Sequence, residues 1–193
     1  MPAEALYQSV AVGQERTLEQ DPTFALRIMV DIASKGLSPA INDPTTAVLA
    51  LDQIHHLLRD VGQRHLDDER VRDKGGRLRL VYRTPDWEDF VRLAVTEIRQ
   101  FGGASIQVAR RLRAMLENLI QTLPEERAAS LRQELKLLHR SAERFFTEPE
   151  DRALADVSDF QGVGGKPGRG PLTLPSPLEG EGVNRQVKEA TPP

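Results

Sequence analysis

The sequence contains no cysteine, and aromatic residues make up only 5% of its 193 residues. Without cysteine the chain can form no disulfide and offers no thiolate as a nucleophile or metal ligand. No apolar run approaches the roughly 18 residues that a membrane-spanning helix needs. The first residues also lack the basic and apolar regions of a signal peptide. As written, the chain is therefore expected to be soluble and cytoplasmic.

Charges of the two signs are nearly balanced, with 26 Lys and Arg residues against 29 Asp and Glu residues. A net charge of −3 gives no support for nucleic acid or an anionic membrane as a partner. Arg110, Arg111 and Arg113 form a basic group, but few aromatic residues lie near them, so we interpret the group as a solvated face. The sequence has no Gly-rich phosphate loop, nucleophile elbow or paired His/Glu metal motif. We accordingly predict no catalytic residue, no metal site and no cofactor, and we lean towards a protein that is not an enzyme.

The most apolar stretch contains the phrase Asp-Pro-Thr twice, beginning at Asp21 and at Asp43. An Asp just before a helix accepts hydrogen bonds from the free amides of the first turn. A Pro as first helical residue has no amide hydrogen to leave unpaired. We therefore predict one helix from Pro22 to about Lys35 and a second from Pro44 to about Gly62. Gly36 is expected to end the first helix in a left-handed conformation.

The first helix is apolar around most of its circumference, apart from a narrow polar stripe that includes Arg27, Asp31 and Ser34. A charged residue on such a helix must be paired or must line a cavity. Arg27 and Asp31 are one turn apart and can pair with each other, so a buried structural ion pair is the preferred interpretation. The alternative is a ligand pocket or a contact between subunits.

The connection between the two helices places polar residues at a helix start, where anions can bind. The carboxylate of Asp43 would occupy the amide donors that an anion needs, so capping is its preferred role. A ligand site here would combine this loop with the polar stripe of the first helix. The speculative ligand-binding residues are then Arg27, Asp31, Asn42, Asp43, Thr45 and Thr46.

Asp52, His56 and Asp60 follow one another at four-residue spacing on the second helix, and such a row can bind a metal. Helical geometry places the row opposite the apolar face, so we prefer a solvent-exposed polar face. His55 and His56 are neighbours that point about 100° apart, which argues against a catalytic pair.

Beyond the central pair, the charged connector Arg64–Arg77 is interpreted as a loop or a loose hairpin turn. Alternating apolar residues from Leu78 to Tyr82 predict a short strand. Its only plausible partner strand is Tyr7–Val12, because a lone strand is not stable. Thr84-Pro85 is expected to start the next helix, which Gly102-Gly103 ends.

Ser105 is predicted to cap a helix from Ile106 to about Leu123, and another helix is predicted to start near Pro124. Both carry leucines at three- and four-residue spacing, which favours an αα-hairpin with a continuous leucine seam. A single kinked helix is the alternative. The seam is the expected surface for self-association. Glu148–Val157 is expected to form one or two further turns.

Residues 159–193 are rich in Gly and Pro and contain too few apolar residues to fold. We therefore predict a helical domain over residues 1–158, of which residues 1–19 are poorly defined, followed by a disordered tail. The expected fold class is mainly α, with about five helices and at most one short β pair.

The run of residues 38–47, Ser-Pro-Ala-Ile-Asn-Asp-Pro-Thr-Thr-Ala, resembles the most specific motif of a bacterial family of predicted membrane proteins, domain of unknown function 2254. The resemblance extends over roughly residues 12–156. It implies that the chain is the soluble C-terminal part of an N-terminally truncated member. Such a part would face the cytoplasm and meet a membrane only through segments absent from this chain, while full-length relatives would lie in the inner membrane.

The resemblance carries no catalytic residue. We expect an assembly or regulatory domain of a bacterial membrane protein. The alternative is a small-molecule-binding or catalytic domain with a site around the Ser38–Thr46 loop.

Overall fold

The structure is a computed structural model that describes residues 21–66, 70–157 and 159. Within these residues it contains six α-helices and one two-stranded sheet, which confirms the mainly α fold class. The strand predicted at Tyr7–Val12 and the predicted tail after Asp159 lie outside the described residues. In chain order the elements are α1 (Pro22–Gly36), α2 (Pro44–Gly62), β1 (Arg70–Arg72), β2 (Leu78–Val81), α3 (Trp87–Phe101), α4 (Ile106–Thr122), α5 (Ala128–Phe145) and α6 (Pro149–Ala155).

The first two helices begin where the Asp-Pro-Thr phrases predict. The side chain of Asp21 accepts from the amide of Thr23 at 2.8 Å, and that of Asp43 accepts from the amide of Thr46 at 3.1 Å. Gly36 differs from expectation, because it is the last helical residue and the helix ends without a left-handed residue. A glycine fits there for a different reason: a Cβ atom would lie 3.1 Å from the carbonyl oxygen of Asp43.

The third helix begins two residues later than predicted. Its N-cap is Asp86, whose carboxylate accepts from the amide of Asp89 at 2.8 Å, while the Asp89 carboxylate accepts from the amide of Asp86 at 3.4 Å. This reciprocal capping box satisfies two free amides, which Thr84-Pro85 cannot do. The helix ends at Phe101 before Gly102, as predicted.

The short strand after the connector has a different partner from the one predicted. β2 pairs antiparallel with β1, with Arg70 opposite Val81 and Val71 opposite Leu80. The connector is thus a hairpin, and its turn is held by Asp73, whose carboxylate accepts from the amides of Gly75 and Arg77. Local pairing costs less loop-closure entropy than pairing with a distant segment, which explains the choice.

The six helices enclose one continuous apolar core. α1 packs against α2 and α3, α2 packs against α4, and α4 packs against α5. Residues with no exposed surface come from five of the helices: Val30, Leu51, Ile54, Leu58, Ile98, Leu112, Leu116, Leu119 and Leu131.

α4 and α5 form the predicted αα-hairpin. The chain leaves α4 at Leu123 in an extended conformation and re-enters through a 3₁₀ turn at Glu125–Arg127, so the single kinked helix is wrong. Most of the seam leucines are buried inside the chain, with Leu116 and Leu131 completely inaccessible, and Leu135 is partly buried. They therefore cannot serve as the expected self-association surface. Self-association through other helical faces stays a prediction.

Candidate functional site

The loop between α1 and α2 is held tightly by its own backbone. The amide of Asp43 donates to the carbonyl of Gly36 at 2.7 Å, and the amide of Asn42 donates to the carbonyl of Ser38 at 2.8 Å. Asn42 is exposed and has φ 49, the one positive φ of a non-glycine residue in the described part of the chain. Asn tolerates this left-handed conformation better than most residues do.

The carboxylate of Asp43 is occupied by its own helix. It accepts from the Thr46 hydroxyl at 2.5 Å and from the Thr46 amide at 3.1 Å. The hydroxyl contact is the main cause that lowers the pKa of Asp43, and the amide contact adds to it. Thr45 is exposed and lies beside this cap. The geometry is that of an N-cap in which each carboxylate oxygen accepts one hydrogen bond from Thr46.

The polar stripe of α1 is not a buried ion pair. Arg27 and Asp31 are both exposed, and no ion pair joins them within the described residues. The preferred interpretation was wrong because the face of α1 that carries these two residues is not covered by α2 or α3. With a helical rise of about 1.5 Å per residue, Arg27 lies roughly 13 Å along the axis from Gly36, next to which Asp43 is held. The six speculative ligand-binding residues therefore do not meet at one place.

Arg27 instead lines a cleft between α1 and α3. The cleft has a volume of about 580 Å³, which is within the usual range for small-molecule sites. Contributions come from the first turns of α1, from the segment that precedes α3, and from one face of α3. We call this site the α1–α3 cleft; its walls are Thr23, Arg27, Arg83, Thr84, Pro85, Asp89, Arg92, Leu93, Thr96 and Glu97.

The α1–α3 cleft contains three arginines and two carboxylates. Arg92 is shared between Glu88 at 3.5 Å and Asp89 at 3.7 Å, which are loose contacts on an exposed helix face. Arg27 and Arg83 make no ion pair with any residue of the described ranges. The cleft thus presents more cationic groups than its own carboxylates neutralise.

A second polar site lies inside the core, between α2 and α4. Arg111 has no exposed surface, and its Nε donates to Oδ1 of Asp52 at 2.6 Å. The interpretation of the basic group on α4 as a solvated face was therefore wrong. Arg113 is only 12% exposed and pairs with Asp156, and the Nε of Arg110 donates to the carbonyl of Val157 at 3.1 Å.

His55, which is also completely buried, connects Arg111 to Asn118. Its Nδ1 lies 3.2 Å from Nη2 of Arg111, and its Nε2 lies 2.9 Å from Oδ1 of Asn118. A guanidinium can only donate, so we assign the proton to Nε2, which donates to the amide oxygen. Nη2 of Arg59 also donates to that oxygen, at 3.2 Å. These residues, with Asp52, form what we call the His55 network.

The surroundings keep His55 neutral. The pKa of His55 is lowered from 6.5 to about 4, mainly by burial and next by the positive charge of Arg111. The hydrogen bond to Asn118 acts in the opposite direction. Because both ring nitrogens are engaged and no ring atom meets solvent, this imidazole cannot exchange protons with a bound substrate.

The row Asp52, His56 and Asp60 is not one polar face. Asp52 points towards Arg111 with its side chain only 21% exposed, whereas His56 and Asp60 are exposed. Within the described residues no group of three or more His, Asp and Glu side chains is placed to hold a metal ion. His55 and His56 do point apart as expected, since one is buried and the other is exposed.

Sequence reasoning missed the His55 network because its members look like ordinary surface residues. A signal was nevertheless present in the spacing. Arg111 lies three residues after the buried Val108 and four before the buried Met115, and His55 lies four residues after Leu51. Polar residues in step with a core stripe are candidates for a buried network.

Residues 2–118 match the family model described as "Predicted membrane protein (DUF2254)". An uncharacterized protein of Mycobacterium bovis and one of Mycobacterium tuberculosis are each 34% identical to the chain over 146 residues. The match covers 75% of this chain and 28% of each relative, so the chain spans about a quarter of their length.

No solved structure matches the chain. In the described ranges, no helix combines the length and the apolar character that crossing a membrane requires.

Proposed function

The chain belongs to this DUF2254 family of predicted membrane proteins, and we propose that it is the extramembrane part of such a protein, with a role in assembly or regulation rather than catalysis. The observation that carries the proposal is the closed core. Each of the six described helices contributes apolar residues to that one core. α3 illustrates the pattern, with Trp87, Phe90 and Val91 buried and Glu88 and Arg92 exposed.

The chemistry of the buried groups supports a role without catalysis. The His55 network contains the imidazole with the most altered pKa, and it is sealed between α2 and α4. General acid–base catalysis needs a group within hydrogen-bond reach of the substrate. Both nitrogens of His55 are already used to hold Arg111 and Asn118, so the network is suited to fixing how two helices pack.

We propose that the domain lies on the cytoplasmic side of the membrane. Reporter fusions to the C-terminus of a full-length relative test this placement. A green fluorescent protein fusion should fluoresce and an alkaline phosphatase fusion should be inactive, because the first folds inside the cell and the second needs export. The reverse pattern would contradict the placement.

The assembly role is tested in the same relative by removing the region that this chain matches. We expect the detergent-solubilised protein to change its oligomeric size on a sizing column. A matched control is Asp60→Asn at the equivalent position, because Asp60 is an exposed polar residue and its replacement should leave the fold intact. An unchanged size and unchanged abundance after removal would rule out a role in assembly.

A ligand-binding function is the second candidate, and the cavity that favours it is the α1–α3 cleft. The Ser38–Thr46 loop contributes no residue to that cleft. A ligand site is therefore best sought at the opposite end of α1 from this loop.

A further inference from the structure

We propose that the α1–α3 cleft binds a small anion through a phosphate group. This inference gives the chemical class of ligand for the second candidate function named above, and it does not depend on the role in assembly. The cleft is the place where Arg27 of α1, Arg83 of the segment before α3 and Arg92 of α3 line one cavity of about 580 Å³. Three separate elements thus contribute one arginine each.

The state of the three arginines is the first argument. Exposed arginines of this chain occur with and without ion pairs: Arg79 and Arg132 contact carboxylates at 2.7 Å and 2.6 Å, whereas Arg77 and Arg140 make no ion pair within the described residues. What sets the three cleft arginines apart is that they line one cavity. Arg27 and Arg83 have no ion-pair partner within the described residues. A guanidinium offers a planar fork of donors that matches phosphate and carboxylate oxygens, and it is weakly hydrated, so it binds such anions readily.

The carboxylates of the cleft weaken this attraction only in part. The carboxylate of Asp89 accepts a hydrogen bond from the amide of Asp86 and lies 3.7 Å from Arg92. Its negative charge is therefore partly compensated at the start of α3. Glu97 is exposed, two turns further along the same helix. The cleft is therefore mainly cationic near the start of α3, and Glu97 is the acidic residue at its other end.

The arrangement favours phosphate over a carboxylate. A carboxylate accepts hydrogen bonds close to one plane, whereas a phosphate accepts them from several directions around a tetrahedral centre. The donors belong to different elements: Arg27 to α1, Arg83 to the segment before α3, and Arg92 to α3. A tetrahedral anion suits donors that come from three elements, and two charges on it would match the two arginines that lack ion pairs within the described residues.

Binding of inorganic pyrophosphate to the 193-residue chain, measured by titration calorimetry at low salt, tests the proposal. Arg27→Gln and Arg83→Gln should each weaken binding about tenfold or more, because each removes a charged hydrogen bond. Glu97→Gln should strengthen binding by removing a like charge. Arg140→Gln is the matched control: Arg140 is exposed on α5, outside the cleft, and its loss should change nothing. Citrate serves as the carboxylate probe.

A phosphate group could come from a soluble molecule or from a lipid headgroup, so vesicles of phosphatidylcholine with and without phosphatidic acid form the second arm. Pyrophosphate binding that depends on Arg27 and Arg83 supports the site with a soluble ligand. Binding of phosphatidic acid vesicles alone, with the same dependence, supports it with a lipid headgroup. The proposal is overturned by no binding of either probe, by an equal loss in Arg140→Gln, or by citrate binding as tightly as pyrophosphate.

The substituted residues are exposed, so the variants should keep the fold. Their thermal unfolding without ligand checks this point. If one of the Gln variants loses stability, the Arg27→Lys variant is compared with Arg27→Gln. Lysine keeps the positive charge, so Arg27→Lys should bind pyrophosphate more tightly than Arg27→Gln. Equal affinity in the two variants would count against the proposal.

Discussion

The Nε atom of Arg111 lies 2.6 Å from Oδ1 of Asp52, and this contact joins α4 to α2 inside the core. The guanidinium has no exposed surface, whereas the carboxylate side chain is 21% exposed. The pair therefore lets a fully buried positive charge reach a carboxylate at the edge of the core. Removing one partner of such a pair lowers stability more than replacing both partners by apolar residues, because one charge then stays buried without compensation.

The first prediction concerns this pair. Asp52→Ala should lower the free energy of unfolding by about 3 kcal/mol, because it removes the carboxylate that compensates Arg111. Urea denaturation measures the effect. Asp60→Ala is the matched control, since Asp60 is an exposed carboxylate on the same helix. Its replacement should cost less than about 0.5 kcal/mol.

The pair also predicts a rescue. Replacing both charges, with Asp52→Leu and Arg111→Met in one chain, should recover much of the lost stability, because no charge is then left buried. Equal losses for Asp52→Ala and Asp60→Ala would show that the pair does not hold α2 to α4.

The second prediction is a pH dependence that comes from His55. Its pKa is about 4 in the folded chain and near 6.5 when exposed, so the unfolded chain binds more protons between these values. The stability contributed by the neutral imidazole is fully present above pH 6.5 and is lost as pH falls towards 4. A shift of this size corresponds to roughly 3 kcal/mol.

Urea denaturation at several pH values between 7 and 4.5 measures this slope. His55→Gln should be less stable than the parent at pH 7 and should have a flatter pH profile. His56→Gln should keep the parent profile, because His56 is exposed beside it on the same helix. A parent profile that is flat across this range would contradict the assignment of a neutral, buried imidazole.

The third prediction concerns the two helix caps. Asp43→Ala and Asp21→Ala should each cost about 1 kcal/mol, whereas Asn at either position should cost much less, because its side-chain oxygen accepts the same amide hydrogen bond. Chemical denaturation measures the loss of unfolding free energy in each variant. Equal losses at the two sites would show that capping is the whole role of Asp43. A stable Asp43→Asn chain whose full-length relative has lost function would contradict that conclusion.

The fourth prediction separates the leucines by burial. Leu116→Asp should cost several kcal/mol, because Leu116 is completely inaccessible and an unpaired carboxylate would be buried there. Leu135→Asp should cost less, since Leu135 is only partly buried. Leu49→Asp is the exposed control and should leave the circular dichroism spectrum and the unfolding midpoint nearly unchanged. Equal destabilisation by all three would contradict the packing of α4 and α5.

What could be predicted from the sequence is what depends on neighbouring residues. Asp21 and Asp43 cap amides within three residues of themselves, so their role could be predicted before any packing was known. The break between α4 and α5 was predictable for the same reason, because Pro124 cannot continue a helix. The family resemblance was also carried by the sequence itself, and the match over residues 2–118 confirms it.

Only the tertiary structure decided which polar residues are buried and where a cavity opens. By residue type Arg111 and His55 cannot be told from their neighbours, the half-buried Arg110 and the exposed His56, and their burial follows from the packing of α4 against α2. The α1–α3 cleft is lined by both Arg27 and Arg83, which lie 56 positions apart in the chain. No local sequence pattern predicts that two such distant residues line one cavity. Burial and cavities are properties of how helices pack, and packing depends on long-range contacts that a single sequence does not display.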